Sequence, residues 1–170
     1  LAPFEAVLIR DLPQSLAGFV ALRDEVARTP QGGAALLAVA LLLYAGDEAL
    51  GAQCLAAALD QSLLRAGPEG RQLDPQDLQR VELQVRKQRY LPRAYFSGAV
   101  PHNGYALPGP PYEVQCSGSP AGWSPEAGSL TVFVACSGAS PRPVTLKRDE
   151  QGLWQAAEYS SLLVGIRNPA

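Results

Sequence analysis

One histidine, His102, is all the imidazole that this 170-residue chain carries. That scarcity rules out metal sites built on two imidazoles and leaves no HExxH helix. Three cysteines, Cys54, Cys116 and Cys136, are too few and too scattered for a disulfide scaffold or a zinc finger, and no CxxC pair occurs. They read as buried thiols in a reducing compartment, with a bridge between Cys116 and Cys136 left open. No GxGxxG, GxxxxGKS/T or GxSxG is present, so those phosphate cradles and that nucleophile elbow are missing. Any Cys–His or Ser–His couple would have to use His102. Sixteen acids allow a carboxylate pair in principle, yet most fall at helix starts, turns and exposed helix faces.

Charge of one sign is lacking too. Fourteen basic and sixteen acidic residues leave a formal net charge of −2, which gives no global attraction for nucleic acid or an anionic membrane. The most apolar run, 34–44 ("AALLAVALLLY"), is about half of the roughly 20 residues a membrane-spanning helix needs. It reads as a buried core helix. The stretch "LAPFEAVLIRDLPQ" has no basic region ahead of an apolar core, so no secretory signal is expected. The expectation is a cytoplasmic protein with no membrane, metal or cofactor.

What is present is a globular composition, 47% hydrophobic and 18% charged, long enough to bury a sizeable core. Residues 11–90 carry helical spacing. Leu12, Leu16, Phe19, Val20, Leu22 and Val26 share one face, with Arg23 inside the arc; its stem is expected on the core and its head in water. Thr29-Pro30 and Gly32-Gly33 read as a break before a second helix, about 33–45, apolar all round. A third, about 47–65, starts at acids favoured by the helix dipole. Gly67-Pro68-Glu69-Gly70 reads as a loop, and Asp74-Pro75 as the N-cap and first position of a fourth helix with Leu78, Val81 and Val85 inward.

After Leu91-Pro92 the period changes. "YEVQC" alternates like a half-exposed strand, and "LTVFVAC" reads as a central strand covered on both faces. "PVTLKR" and "LWQAAEY" flank the turn Asp149–Gly152 as a hairpin, and "SSLLVGIR" reads as a possible last strand. The expected class is α+β: about four helices in a stretch spanning 1–91, packed with an antiparallel sheet of about four to six strands in 92–170, as one cooperative domain.

Three stretches hold the candidate site residues. In "PHNGYALPGPPY", His102 and Tyr105 could bind a ligand, although the favoured reading makes Asn103 a turn-former, Tyr105 an anchor and His102 idle in water. The run "RVELQVRKQRYLPRAYF" sets Arg80, Arg86, Lys87, Arg89 and Arg93 beside Tyr90 and Tyr95. That basic surface suits an acidic protein partner better than nucleic acid. Arg142, between two prolines, either grips a carboxylate or phosphate or is tied to Glu158, Asp149 or a helix C-terminus, the second being favoured. Trp154 reads as core before ligand platform, and Cys136 as an inert thiol.

The phrases "YLPRAYFSGAVPHNGYALPGPPY" and "VFVACSGASPRPVTLKRDEQGLWQAAEYSSLLVGIR" resemble an uncharacterised bacterial family, a domain of unknown function, over about residues 10–168. The resemblance implies no activity. Its members have Glu in place of His102 and an extra Asp before Ser140, which weighs against a catalytic His102 and makes the turn before Arg142 structural. The hairpin "PVTLKRDEQGLWQ" is also similar to late strands of nuclear-transport-factor-2-type domains, which implies a pocket between helices and sheet. Two functions follow as expectations. The first is a non-enzymatic module that binds a protein partner. The second is a small-molecule-binding or hydrolytic domain whose pocket is lined by Tyr95, Tyr105, Arg142 and Trp154.

Overall fold

The computed structural model describes residues 3–68, 70–124 and 128–170, with side chains outside 119–124. Its axis is the helix that the apolar run foretold. Thr29 caps it through Oγ1, which accepts from Gly32 N at 3.0 Å, and Pro30 takes the first position, where no N–H is needed. The residues read as a break are therefore a helix start. This helix, α2 (Pro30–Gly46), is buried continuously from Gly32 to Leu41. It is preceded by β1 (Glu5–Ile9) and α1 (Leu16–Val26), and followed by α3 (Glu48–Ala58).

Glycine decides how closely α2 approaches its neighbours. A Cβ on Gly51 of α3 would sit 2.2 Å from Tyr44 Cα, and one on Gly33 would sit 2.6 Å from the Trp154 carbonyl oxygen. Both are backbone contacts that no side chain can clear.

The helix α3 stops at Ala58, well short of the expected 65. Its chain leaves in extended form to lie along the sheet: Leu59 bridges Ala156, and Asp60 N donates to the Ala156 carbonyl at 2.8 Å. A tertiary backbone pairing overrides local helix propensity here. A short hairpin follows, β2 (Leu64–Gly67) with β3 (Gly70–Leu73), where the sequence suggested only a loop; Glu69 lies outside the described residues. Then α4 (Pro75–Lys87) begins as foreseen. Asp74 Oδ1 accepts from Gln76 N at 2.9 Å, Val81 and Val85 are buried, and Leu78 is half-buried.

The main sheet is antiparallel, in the order β1, β4 (Tyr112–Ser124), β5 (Ser129–Val134), β6 (Arg142–Arg148), β7 (Trp154–Glu158). The chain is α+β, but its first 91 residues are not purely helical, since they supply one edge strand and a hairpin. In β5, Val132 and Val134 are buried while Phe133 between them is exposed. That strand is covered on the α2 side alone, against the expectation of cover on both faces. Asp149 Oδ1 accepts from Gln151 N and Leu153 N at 2.8 and 2.9 Å, and Gly152 has φ 84°, so the β6–β7 turn forms as read. The stretch after β7 is no strand: it makes a 3-10 turn, Ser160–Leu163, and then runs on in extended form.

Three thiols are buried and free. Burial pushes Cys116 up to about 12 and Cys54 up to about 11, the second with help from Asp47; buried apolar thiols of this kind are inert.

Candidate functional site

Three of the residues singled out from the sequence, Tyr95, Tyr105 and Arg142, meet a common object, which is the chain's own C-terminal segment. Leu162, Leu163 and Ile166 anchor that segment in the core, and a ladder of side chains holds its polar backbone. Tyr95 Oη donates to the Leu162 carbonyl at 2.7 Å. The buried guanidinium of Arg142 donates to the Gly165 carbonyl at 2.8 Å, to Tyr95 Oη at 3.0 Å and to the Val164 carbonyl. Gln88 bonds both backbone groups of Ile166, donating to its carbonyl at 3.0 Å and accepting from its N–H at 2.9 Å. Tyr105 Oη donates to the Arg167 carbonyl at 2.6 Å, and Tyr90 Oη to Asn168 Oδ1 at 2.6 Å. Carbonyls at the end of a 3-10 turn lack partners in their own helix, and a fixed cation with five donors satisfies several at once.

Each side chain reaches the strap for a local reason. Arg142 opens β6, where Val134 pairs with it across the sheet. Tyr95 ends a 3-10 turn, Leu91–Tyr95. Tyr105 follows the loop turn that Asn103 builds: Asn103 Oδ1 accepts from Val100 N and Ala106 N at 3.1 Å each, and its Nδ2 donates to the Gly98 carbonyl at 2.8 Å. Gly104 (φ 68°) and Tyr105 (φ 57°) both take the left-handed conformation. For a bulky residue this is strained, and the Tyr105 ring is held by parallel stacking on Tyr90 at 5.1 Å. Burial raises the pKa of Tyr95 and Tyr105, and the neighbouring Cys136 raises both further. Arg142 and Tyr95 pull Cys136 down, yet burial wins and its thiol is raised.

His102 stands exposed on the 3-10 turn Pro101–Asn103 and takes no part in this ladder. Trp154 is half-buried. Its backbone N–H donates to the Ala27 carbonyl at 2.8 Å, and the Arg148 guanidinium lies 5.7 Å from its ring. Trp154 pairs with Arg148 at the far end of β6 from Arg142, six residues or roughly 20 Å away along a strand. The structure thus joins Tyr95, Tyr105 and Arg142 and leaves Trp154 and His102 apart. Tyr95 lines a cavity of about 150 Å³ with Ser97, Gln115 and Cys136, and neither Tyr105, Arg142 nor Trp154 lines it. The four-residue pocket between helices and sheet is corrected on this ground: α2 fills the inner side of the sheet, and the polar groups already serve the strap.

The basic surface divides. Arg86 is spent, as its Nε and Nη2 grip Glu48 at 2.8 and 2.7 Å while Nη1 reaches Glu82 at 3.1 Å. This holds the Glu48 carboxyl below its usual range and raises Arg86. Arg89 and Arg93 are exposed. Arg80 and Lys87, seven residues apart, fall on one face of α4 with Gln84 and Gln88. There they line a groove of about 420 Å³ against Ser160, Leu163, Val164 and Gly165 of the strap. The strap and Gln84 were not legible as site residues: nothing in "SSLLVGIR" signals a groove wall. A second cavity, about 310 Å³, lies among α3, β3 and the start of α4, floored by Ala52, Ala56, Leu73 and Leu78 with Arg71 and Gln72 at its rim.

Among the described residues, no group of three or more His, Cys, Asp or Glu is placed to hold a metal ion, and no helix is long and apolar enough to cross a membrane. The chain has no significant match among curated proteins or solved structures. Matched over residues 11–170 by the family model, the chain belongs to DUF6935, a domain of unknown function.

Proposed function

We propose that this protein is a non-enzymatic, cytoplasmic protein-interaction module, and that α4 with the C-terminal strap forms its recognition face. The observation that carries this reading is how the polar side chains are used. Tyr95, Tyr105, Arg142 and Gln88 all bond the backbone of the strap, so they shape one wall of a surface groove and are not free to do chemistry. Free, buried thiols suit a reducing compartment. Exposed Val164 and the cations Arg80 and Lys87 give the groove an apolar floor and a polar rim, the composition of a transient interface.

Affinity capture from the native host, quantified against a Lys87→Glu bait, tests the reading. A specific protein should be recovered with the native bait and depleted at least tenfold by K87E. Equal recovery of every protein on both baits would sink it. A second reading, small-molecule binding, has the 310 Å³ cavity in its favour: apolar floor, few polar groups, and a volume at the lower end of ligand sites. Its test is thermal stabilisation by a fragment set, abolished by Ala56→Trp.

A further inference from the structure

We infer that the groove between α4 and the strap takes an acidic peptide segment in which two carboxylates flank an apolar side chain. This rests on the reading of the protein as an interaction module and names the chemistry of its partner. Arg80 and Lys87 are two helical turns apart, a rise of about 10 Å, and Gln84 lies between them on the same face. A peptide in polyproline II form has about three residues per turn and rises about 3.1 Å per residue, so carboxylates three residues apart lie on one side about 9 Å apart and match that spacing. The facing wall of the groove brings Val164, which is 58% exposed, and the buried Leu163. Among the described residues, no carboxylate lines this groove.

The charges around it also set polarity along the groove. Beyond Arg80 the surface continues into a narrower cleft that Asp77 and Glu158 line, so Arg80 is shared with acids already in place. The Glu158 carboxylate accepts from Ser160 N at 2.7 Å and Ser160 Oγ at 2.5 Å, and those bonds hold its pKa down. Lys87 has no ion-pair partner among the described residues and is the stronger anchor. The strap is tied in place by hydrogen bonds from Arg142 to the Val164 and Gly165 carbonyls and from Gln88 to Ile166. The groove is a fixed shape, which lowers the ordering cost of binding.

The test is fluorescence anisotropy with the intact chain and a labelled dodecapeptide built from Glu-Leu-Ala-Glu repeats, set against the same peptide with Gln for every Glu. At 50 mM salt the acidic peptide should bind at least tenfold tighter than its neutral analogue, with that advantage shrinking as salt rises. Lys87→Glu should remove at least tenfold, and Val164→Ser should weaken binding severalfold. Arg86→Gln, on the face engaged by Glu48 and Glu82, should leave it unchanged; thermal midpoints establish that each variant is folded. Equal binding of both peptides, or acidic-peptide binding untouched by K87E, overturns the inference. If K87E depletes a captured protein while the acidic peptide does not bind, the module reading survives and the partner chemistry proposed here falls.

Discussion

Arg142 shows what a single residue does for this fold. A guanidinium almost wholly withdrawn from water must be bonded on all sides, and here its acceptors are the Val164 and Gly165 carbonyls and the Tyr95 hydroxyl. Sequence placed Arg142 correctly as a pre-set cation between prolines, and favoured a structural tie. Of the three partners it left open, Glu158, Asp149 and a helix C-terminus, the structure bears out the last kind, the carbonyls that follow the 3-10 turn Ser160–Leu163; which helix end it would be carries no sequence mark. Replacing Arg142 with Leu should lower stability by about 3 kcal/mol, since bonds to a charged donor contribute roughly 1.5–3 kcal/mol each and some of that is offset by no longer burying the charge. Urea unfolding measures this. A loss under about 1 kcal/mol would mean that Leu162, Leu163 and Ile166 hold the strap by burial alone. His102→Ala, by contrast, should change nothing beyond about 0.5 kcal/mol.

At the scale of elements, the α2–α3 crossing is the point of least tolerance. Gly51 meets the backbone of Tyr44 at 2.2 Å from a would-be Cβ, whereas Gly46, at the end of α2, has nothing within 4 Å. Gly51→Ala should therefore cost about 3 kcal/mol or more through overpacking. Gly46→Ala should be neutral or gain up to about 1 kcal/mol from helix propensity. Thermal unfolding of the two variants side by side separates close approach from propensity, and similar shifts for both would refute the crossing argument. Elements with a local signal were legible: α2 by its apolar run, α4 by Asp74-Pro75, and the β6–β7 hairpin by Asp149 and Gly152. Elements fixed by distant partners were not. Strand β1 is defined by pairing with β4, some hundred residues on, and α3 ends where Leu59 meets Ala156. The groove suffered in the same way, because its strap wall read as a strand while Arg80 and Lys87 were visible only as members of a longer basic run.

The whole molecule interleaves its two compositional halves. The sheet takes an edge strand from residues 5–9 and its other four from residues 112–158, so neither half completes it alone. The helix α2 packs against β1, β4, β5, β6 and β7, which merges the apolar faces of the sheet and the helices into a shared core. Near residue 92, where proline and glycine become frequent, the chain continues directly into the turn Leu91–Tyr95, whose Tyr95 is bonded to the strap. A boundary in composition is therefore no boundary in contacts, and unfolding should be a single transition. Circular dichroism at 222 nm reports chiefly α1–α4, while both tryptophans, Trp123 and Trp154, belong to the β-rich stretch. Urea curves from the two signals should superimpose, with one midpoint. If tryptophan fluorescence moved at lower urea than helicity, the sheet would be a separable layer over an autonomous helical bundle, and the continuous core would not be the cooperative unit. Arg142→Leu sharpens the comparison: because the strap joins α4, the 91–95 turn and β6, its loosening should shift both curves together by the same amount.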